Sequence, residues 1–160
     1  MSAVVIVDSS VLLNILDVPG RNQHREDVLD RLGERIEAGD HLFIPMAAIV
    51  EVGNHIAHVA NGVQRRDAAE RFVREVRSAL AGEAPWKPVN FPSNQDVLRW
   101  LEGFPDAATR CMGMGDLSIQ QEWQTCCTRY PLSHVWVWTL DSDLAALDRL
   151  SPSAPSRRKT

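Results

Sequence analysis

"VVIV", Val4 to Val7, is the feature that most constrains this fold. Four β-branched residues stand in a row, without the apolar–polar alternation of a strand wetted on one face. A short strand that is apolar on both faces belongs inside a sheet covered on both sides, which is how parallel sheets are built. The strand reading spans Ala3 to Val7, and the carboxylate of Asp8 follows at its tip. His41 to Ile44 and Ser133 to Thr139 read as strands too, with a weaker candidate at Lys87 to Asn90 inside the loop "GEAPWKPVNFP".

Between these strands the spacing predicts helices. They run from Ser9 or Ser10 to about Leu16, from Gln23 to Ala38 with Gly39 closing it, and from Pro45 through Ile56. Further helices are predicted over Gln64–Leu80, Asn94–Glu102, Gly115–Arg129 and Asp143–Leu150, with Gly103 and Pro105 ending the second of these. Short strands alternating with helices predict a three-layer α/β/α sandwich with a mostly parallel central sheet. The chain of 160 residues is long enough for one domain, read here as residues 1–150. Residues 151–160 are Pro/Ser-rich and basic and read as a disordered tail.

The net charge is −4, so a polyanion would have to bind in a local groove rather than to a global basic field. Met1 to Ser10 lacks the basic start of a secretory signal, and no apolar run approaches the roughly 20 residues that span a bilayer. The expected location is cytoplasmic, away from the membrane. The cysteine count is odd, 3 in all, and Cys126 and Cys127 are adjacent. Neighbours on a helix diverge by about 100°, so free thiols are expected, and the spacing fits no zinc site.

The acidic residues carry the functional signal. Asp8 and Asp141, the latter in "WVWTLDSD", follow strands, so both fall at the carboxyl ends where open α/β folds place their sites. Glu51 sits in the helix after the second strand, and Asp116 lies at a helix start behind "GMG". Two carboxylates about 4 Å apart repel by roughly 4 kcal/mol at an effective dielectric of about 20. A converging set therefore needs a cation or raised pKa values. Oxygen-only ligands select Mg²⁺ or Mn²⁺ over zinc. Taken singly, Asp8 reads as a helix cap, Asp116 as a first-turn acid, Asp141 as a turn residue and Asp143 as a cap. Their joint placement favours a site.

"VVIVDSSVLLNIL", "IPMAAIVEVGNHI", "GMGDLSI" and "VWTLDSDL" resemble, in order, the four acidic blocks of PIN-domain ribonucleases, including VapC-type toxins. The blocks span Val4 to Leu144. The resemblance implies a PIN-like fold and a Mg²⁺- or Mn²⁺-dependent endoribonuclease that hydrolyses RNA. Asp8, Glu51, Asp116 and Asp141 would be catalytic and metal-holding, Asp143 an auxiliary metal acid, and Ser10 a support for Asp8. It also implies a toxin–antitoxin role with a cognate antitoxin protein as partner; a homodimer is left open. Two other classes remain: a catalytically idle PIN-like protein-binding module, and a phosphoryl-handling α/β domain with Asp8 as covalent nucleophile. The second should offer a lysine near a strand end, and the only lysines, Lys87 and Lys159, are not obviously placed for it.

Other residues invite function and mostly read as structure. "EVGNHIAH" sets Glu51, His55 and His58 on one helical face, but without the H-E-x-x-H arrangement of a zinc helix. His55 reads as a structural histidine, with a substrate contact as the alternative. The glycines of "GMG" are expected to let the helix start approach the site closely. Trp136 and Trp138 share a strand face and read as core. Arg65, Arg66, Arg71, Arg74 and Arg77 read as a solvated face with intrahelical pairs, a phosphate-binding rim being the alternative.

Overall fold

The computed structural model describes residues 2–88 and 91–152. Strand β1 (Val4–Val7) lies at the centre of a five-stranded sheet. It pairs in parallel with β2 (His41–Ile44) on one side and β4 (Val135–Trp138) on the other. β2 pairs in parallel with β3 (Trp86–Pro88), and β5 (Asp148–Arg149) closes the far edge antiparallel to β4. The order is β3-β2-β1-β4-β5.

The continuous apolar run has the predicted cause: all of β1 is buried, on two faces. Val5 and Val7 join Leu42, Ile44, Trp86 and Trp138 in one core. That core lies under α1 (Ser9–Ile15), α2 (Arg25–Glu37), α3 (Met46–Ala57) and α4 (Gly62–Ala81). Val4 and Ile6 join Val135 and Val137 on the other face, under α6 (Met114–Arg129) and α7 (Ser142–Ala145). α5 (Asn94–Thr109) packs on α6. Each such fully buried side chain contributes about 1.5–3 kcal/mol, so a polar residue at Val5 or Ile6 would cost a large fraction of a marginal stability. Trp138 is core, as expected, while Trp136 is half-buried and stacks on His134. Gly39, at φ +71°, closes α2 as predicted.

The structure corrects three expectations. α5 does not stop at Gly103 or Pro105 but continues to Thr109. Pro105 removes only the bond to the carbonyl of Leu101, and Leu101 is exposed, so water can replace it. Gly103 sits against Leu117 of α6, and that packing outweighs its low helix propensity. The predicted helix over Asp143–Leu150 shrinks to the single turn of α7, because Asp148 and Arg149 pair with β4 instead. Arg149 fixes the choice by donating to the carbonyls of Cys127 (2.7 Å), Tyr130 (2.6 Å) and Ser133 (2.8 Å). The strand predicted at Lys87–Asn90 begins one residue earlier, at Trp86; Val89 and Asn90 lie outside the described residues. The predicted tail from residue 153 onward lies outside them as well.

All the cysteines are free thiols. Burial pushes the Cys126 thiol up to about 11, with the Glu122 charge adding to it, so it behaves as a core residue. Among the described residues no helix is long and apolar enough to cross a membrane.

Candidate functional site

Asp8 stands where β1 becomes α1, in the position of a helix cap, yet its side chain caps nothing. It is only 4% exposed. Its carboxylate turns toward β4 instead. Oδ2 accepts from Ser10 Oγ at 2.9 Å and from Thr139 Oγ1 at 2.8 Å. Oδ1 receives only a long contact, 3.4 Å, from Ser9 Oγ. One oxygen is thus fixed and the other nearly free.

Both fixing hydroxyls are held in turn. Ser10 Oγ accepts from the Leu140 amide and Thr139 Oγ1 from the Asp141 amide, each at 2.9 Å. A hydroxyl has one hydrogen, so with both directed to Asp8 the 3.3 Å approach of Ser10 to Thr139 is a close contact within the cradle. The cradle ties the end of β4 to the end of β1. In it the Ser10 hydroxyl donates directly to the Asp8 carboxylate. Thr139 was not singled out from the sequence; its one signal was its position at a strand end, two residues before Asp141.

Asp116 lies in the first turn of α6. Burial raises its pKa first, and the charges of Asp8, Asp141, Glu51 and Asp143 raise it further, in that order. Asp8, Asp141, Glu51 and Asp143 thus all lie within electrostatic reach of Asp116. The preceding glycines do not act as expected. A Cβ added at Gly113 or Gly115 would meet nothing within 4 Å, so no close approach requires them.

The remaining acids are held more loosely. Asp141 is exposed and caps α7, accepting from the Asp143 amide at 3.0 Å, so the cap expected at Asp143 falls to Asp141 instead. Asp143 is exposed in the same turn. Glu51, on α3, has a side chain 45% exposed and an oxygen 3.6 Å from His55 Nε2. His58 does not join them, because its Nδ1 lies 2.7 Å from the carbonyl of Asn54. Among the described residues, Asp8, Asp116, Asp141 and Asp143 have no ion-pair partner. Nor do any three His, Cys, Asp or Glu side chains stand close enough together to hold a metal ion. The acids share one end of the sheet without forming a closed ligand set.

The arginines of α4 divide. Arg66 pairs with Glu70 at 3.0 Å, as a solvated face predicts. Arg65 donates to the Val59 carbonyl, and Arg71 to those of Leu16 and Asp17. These two brace the chain around α1 and α3, which removes them from a phosphate-binding rim.

No protein-family model matches this chain, and no curated protein matches it. Among solved structures it is similar to FitAcB from Neisseria gonorrhoeae, with a TM-score of 0.57 and 18% identity over 89% of this chain and 91% of that one. At that identity the likeness is one of fold, and it extends over nearly the whole of both chains.

Proposed function

We propose that this chain is a PIN-type endoribonuclease that uses Mg²⁺ or Mn²⁺ to hydrolyse RNA phosphodiester bonds. The observation that carries the reading is the pair Asp8 and Asp116. One carboxylate is buried and cradled only by neutral hydroxyls, the other has its pKa raised by burial and then by its acidic neighbours, and among the described residues neither has a basic side chain as ion-pair partner. A fold maintains such unbalanced charge at a cost, and a bound hard cation relieves it. The donor chemistry fits that ion, being all oxygen. Asp8, Glu51, Asp116 and Asp141 would hold it, with Asp143 as auxiliary. When bound, the ion supplies positive charge against the scissile phosphate and lowers the pKa of a water.

The protein's own part is positioning and proton handling. Asp8 presents Oδ1 while the Ser10 and Thr139 hydroxyls immobilise Oδ2. The carboxylates of the site are the groups that can accept the proton that water releases on attack. Attack in line breaks the bond from phosphorus to the 3′ oxygen, leaving 5′-phosphate and 3′-hydroxyl ends. The toxin role, with an antitoxin protein as partner, rests on the sequence resemblance to VapC-type toxins.

One observation favours a second reading, the catalytically idle protein-binding module: no three of the acids stand at ligand distance. RNA cleavage separates the two. Purified protein is incubated with diverse RNAs in Mg²⁺, Mn²⁺ or chelator, beside Asp8→Asn. Metal-dependent cleavage that Asp8→Asn abolishes supports the nuclease. No cleavage with either metal, together with tight protein binding indifferent to Asp8, supports the module.

A further inference from the structure

We infer that the cleft between the loop after α1 and the turn from α3 to α4 seats a single-stranded RNA segment next to the scissile phosphate. This rests on the nuclease reading above. The cleft measures about 430 Å³ and takes Arg21 from one side and His55, His58, Asn61 and Gln64 from the other. No carboxylate lines it, in a chain whose net charge is −4. It is continuous with the acidic site through one residue. His55 lines the cleft and also sets Nε2 3.6 Å from Glu51.

The polar groups of the cleft are mostly donors, and local bonds orient two of them. A carbonyl can only accept, so the 2.7 Å contact of His58 with Asn54 puts the hydrogen on Nδ1. That leaves Nε2 to accept from a ribose hydroxyl when neutral, or to donate to a phosphate when charged. Asn61 Oδ1 accepts from the amides of Val63 and Gln64, both at 3.0 Å, as the cap of α4. Its Nδ2 hydrogens therefore remain available. Arg21 has no ion-pair partner among the described residues. A guanidinium suits a phosphate, and the amides of Asn61 and Gln64 suit the open base edges of an unpaired strand. Leading away from a cluster of acids, such a cleft would hold the polyanion that the acids alone repel.

The test uses the full chain carrying Asp8→Asn, so that RNA stays intact, and a fluorescent single-stranded RNA titrated at several salt concentrations. Adding Arg21→Gln should weaken binding several-fold and make the log–log salt slope shallower by about 0.7, one phosphate contact on a single strand. Gln64→Ala should weaken binding with no change of slope. Arg129→Gln, on the opposite face of the sheet, should change neither. RNA carrying 4-thiouridine should crosslink to peptides holding residues 19–21 or 58–64. In the active chain, Arg21→Gln should raise KM and leave kcat alone. Wild type that cleaves RNA, with Arg21→Gln and Gln64→Ala binding and crosslinking as before, overturns the cleft and leaves the nuclease standing. An acidic peptide whose binding these variants weaken, while RNA binding is untouched, assigns the cleft to a protein partner instead. Absence of both RNA cleavage and RNA binding overturns the nuclease reading and the cleft together.

Discussion

The two ends of the sheet treat their acidic residues in opposite ways. At the amino end, the side chain of Asp40 is buried and satisfied: one oxygen accepts from the Ala3 amide at 2.7 Å, the other from Arg35 at 3.3 Å. Asp148 meets His134 at 2.7 Å, and Arg149 closes three carbonyls. At the carboxyl end, the buried Asp8 meets only hydroxyls, and Asp116 is raised by burial and then by the charges of other acids. Buried charges that serve the fold alone are paired. On the proposed reading, an acid that the fold buries without a basic partner is arranged for something outside the chain. The contrast then sets the proposed site carboxylates apart from those that serve the fold.

The largest expected effect tests whether the carboxyl end acts as a unit. Asp8→Asn or Asp116→Asn should each lower RNA cleavage on the order of a hundredfold or more, the scale of losing an active-site charge stabiliser. The double variant should be hardly worse than either single, because groups that act together lose function together. Asp143→Asn should cost less. Thr139→Val removes half of the Oδ2 cradle and should cost about 10- to 100-fold in activity or metal affinity, as loss of an orienting partner does. Product ends give an independent check. A 2′,3′-cyclic phosphate would make the ribose 2′-hydroxyl the nucleophile and discard the water mechanism.

At the amino end the comparison predicts stability loss with chemistry intact. Arg149→Met takes a donor from three carbonyls, of which Tyr130 keeps the Ser133 amide at 3.2 Å, and should cost about 3 kcal/mol, since each of the other two loses a hydrogen bond from a charged group worth at least about 1.5 kcal/mol. In a domain of this size that lowers Tm by about 6–12 °C. Below its Tm the variant should cleave RNA at the wild-type rate per folded molecule. A variant as stable as wild type would remove Arg149 as the reason the chain forms β5 in place of a longer helix.

That substitution also marks where the sequence stops being readable. β1 and β4 were legible because burial on both faces writes itself as an unbroken apolar run, and β2 through the short apolar run Leu42–Ile44 after the exposed His41. Asp8 and Asp141 were legible as strand-end acids once the strands were placed. β5 has two residues, too few for any period, and exists through bonds from Arg149 to residues 16–22 positions earlier. Gly103 and Pro105 are local stop signals that α5 overrides by packing on α6 and leaving Leu101 to solvent. The hydroxyl cradle was half legible: Ser10 came with the resemblance, whereas Thr139 is an ordinary strand-end residue until its distance to Asp8 is known. His55 reads from the sequence as a structural histidine with a substrate contact as the alternative, and the cleft it borders together with His58 gives that alternative a place.

Ion binding should produce the next effect in size. At about 100 times its dissociation constant, Mn²⁺ or Mg²⁺ should stabilise the chain by roughly 2.7 kcal/mol, a Tm rise of about 5–11 °C. Asp8→Asn should lose most of that rise, whereas Asp40→Asn should start from a lower Tm and keep it. His55→Ala and His58→Ala should keep the response too, because the proposed ligands are all oxygen. A response of equal size in Asp8→Asn and Asp116→Asn would mean that the ion binds elsewhere.

The smallest effect is the one that isolates repulsion itself. Burial and the charges of Asp8, Asp141, Glu51 and Asp143 raise the folded pKa of Asp116 above its unfolded value. Between those two values the folded chain keeps a proton that the unfolded chain has released, so stability falls as pH rises through the window. Below the unfolded value the penalty is absent; above the folded value it is complete. Without added ion, Asp116→Asn should therefore melt slightly above wild type at neutral pH. The gain should shrink toward zero as pH falls through the window. Asp40→Asn should show the opposite sign at neutral pH, because it breaks the contact with Arg35. Thermal melts of the three proteins in chelator across the acidic range measure this directly. If Asp116→Asn melts below wild type at neutral pH, its carboxylate is a net stabiliser like Asp40. The two ends of the sheet would then differ in geometry and not in charge balance.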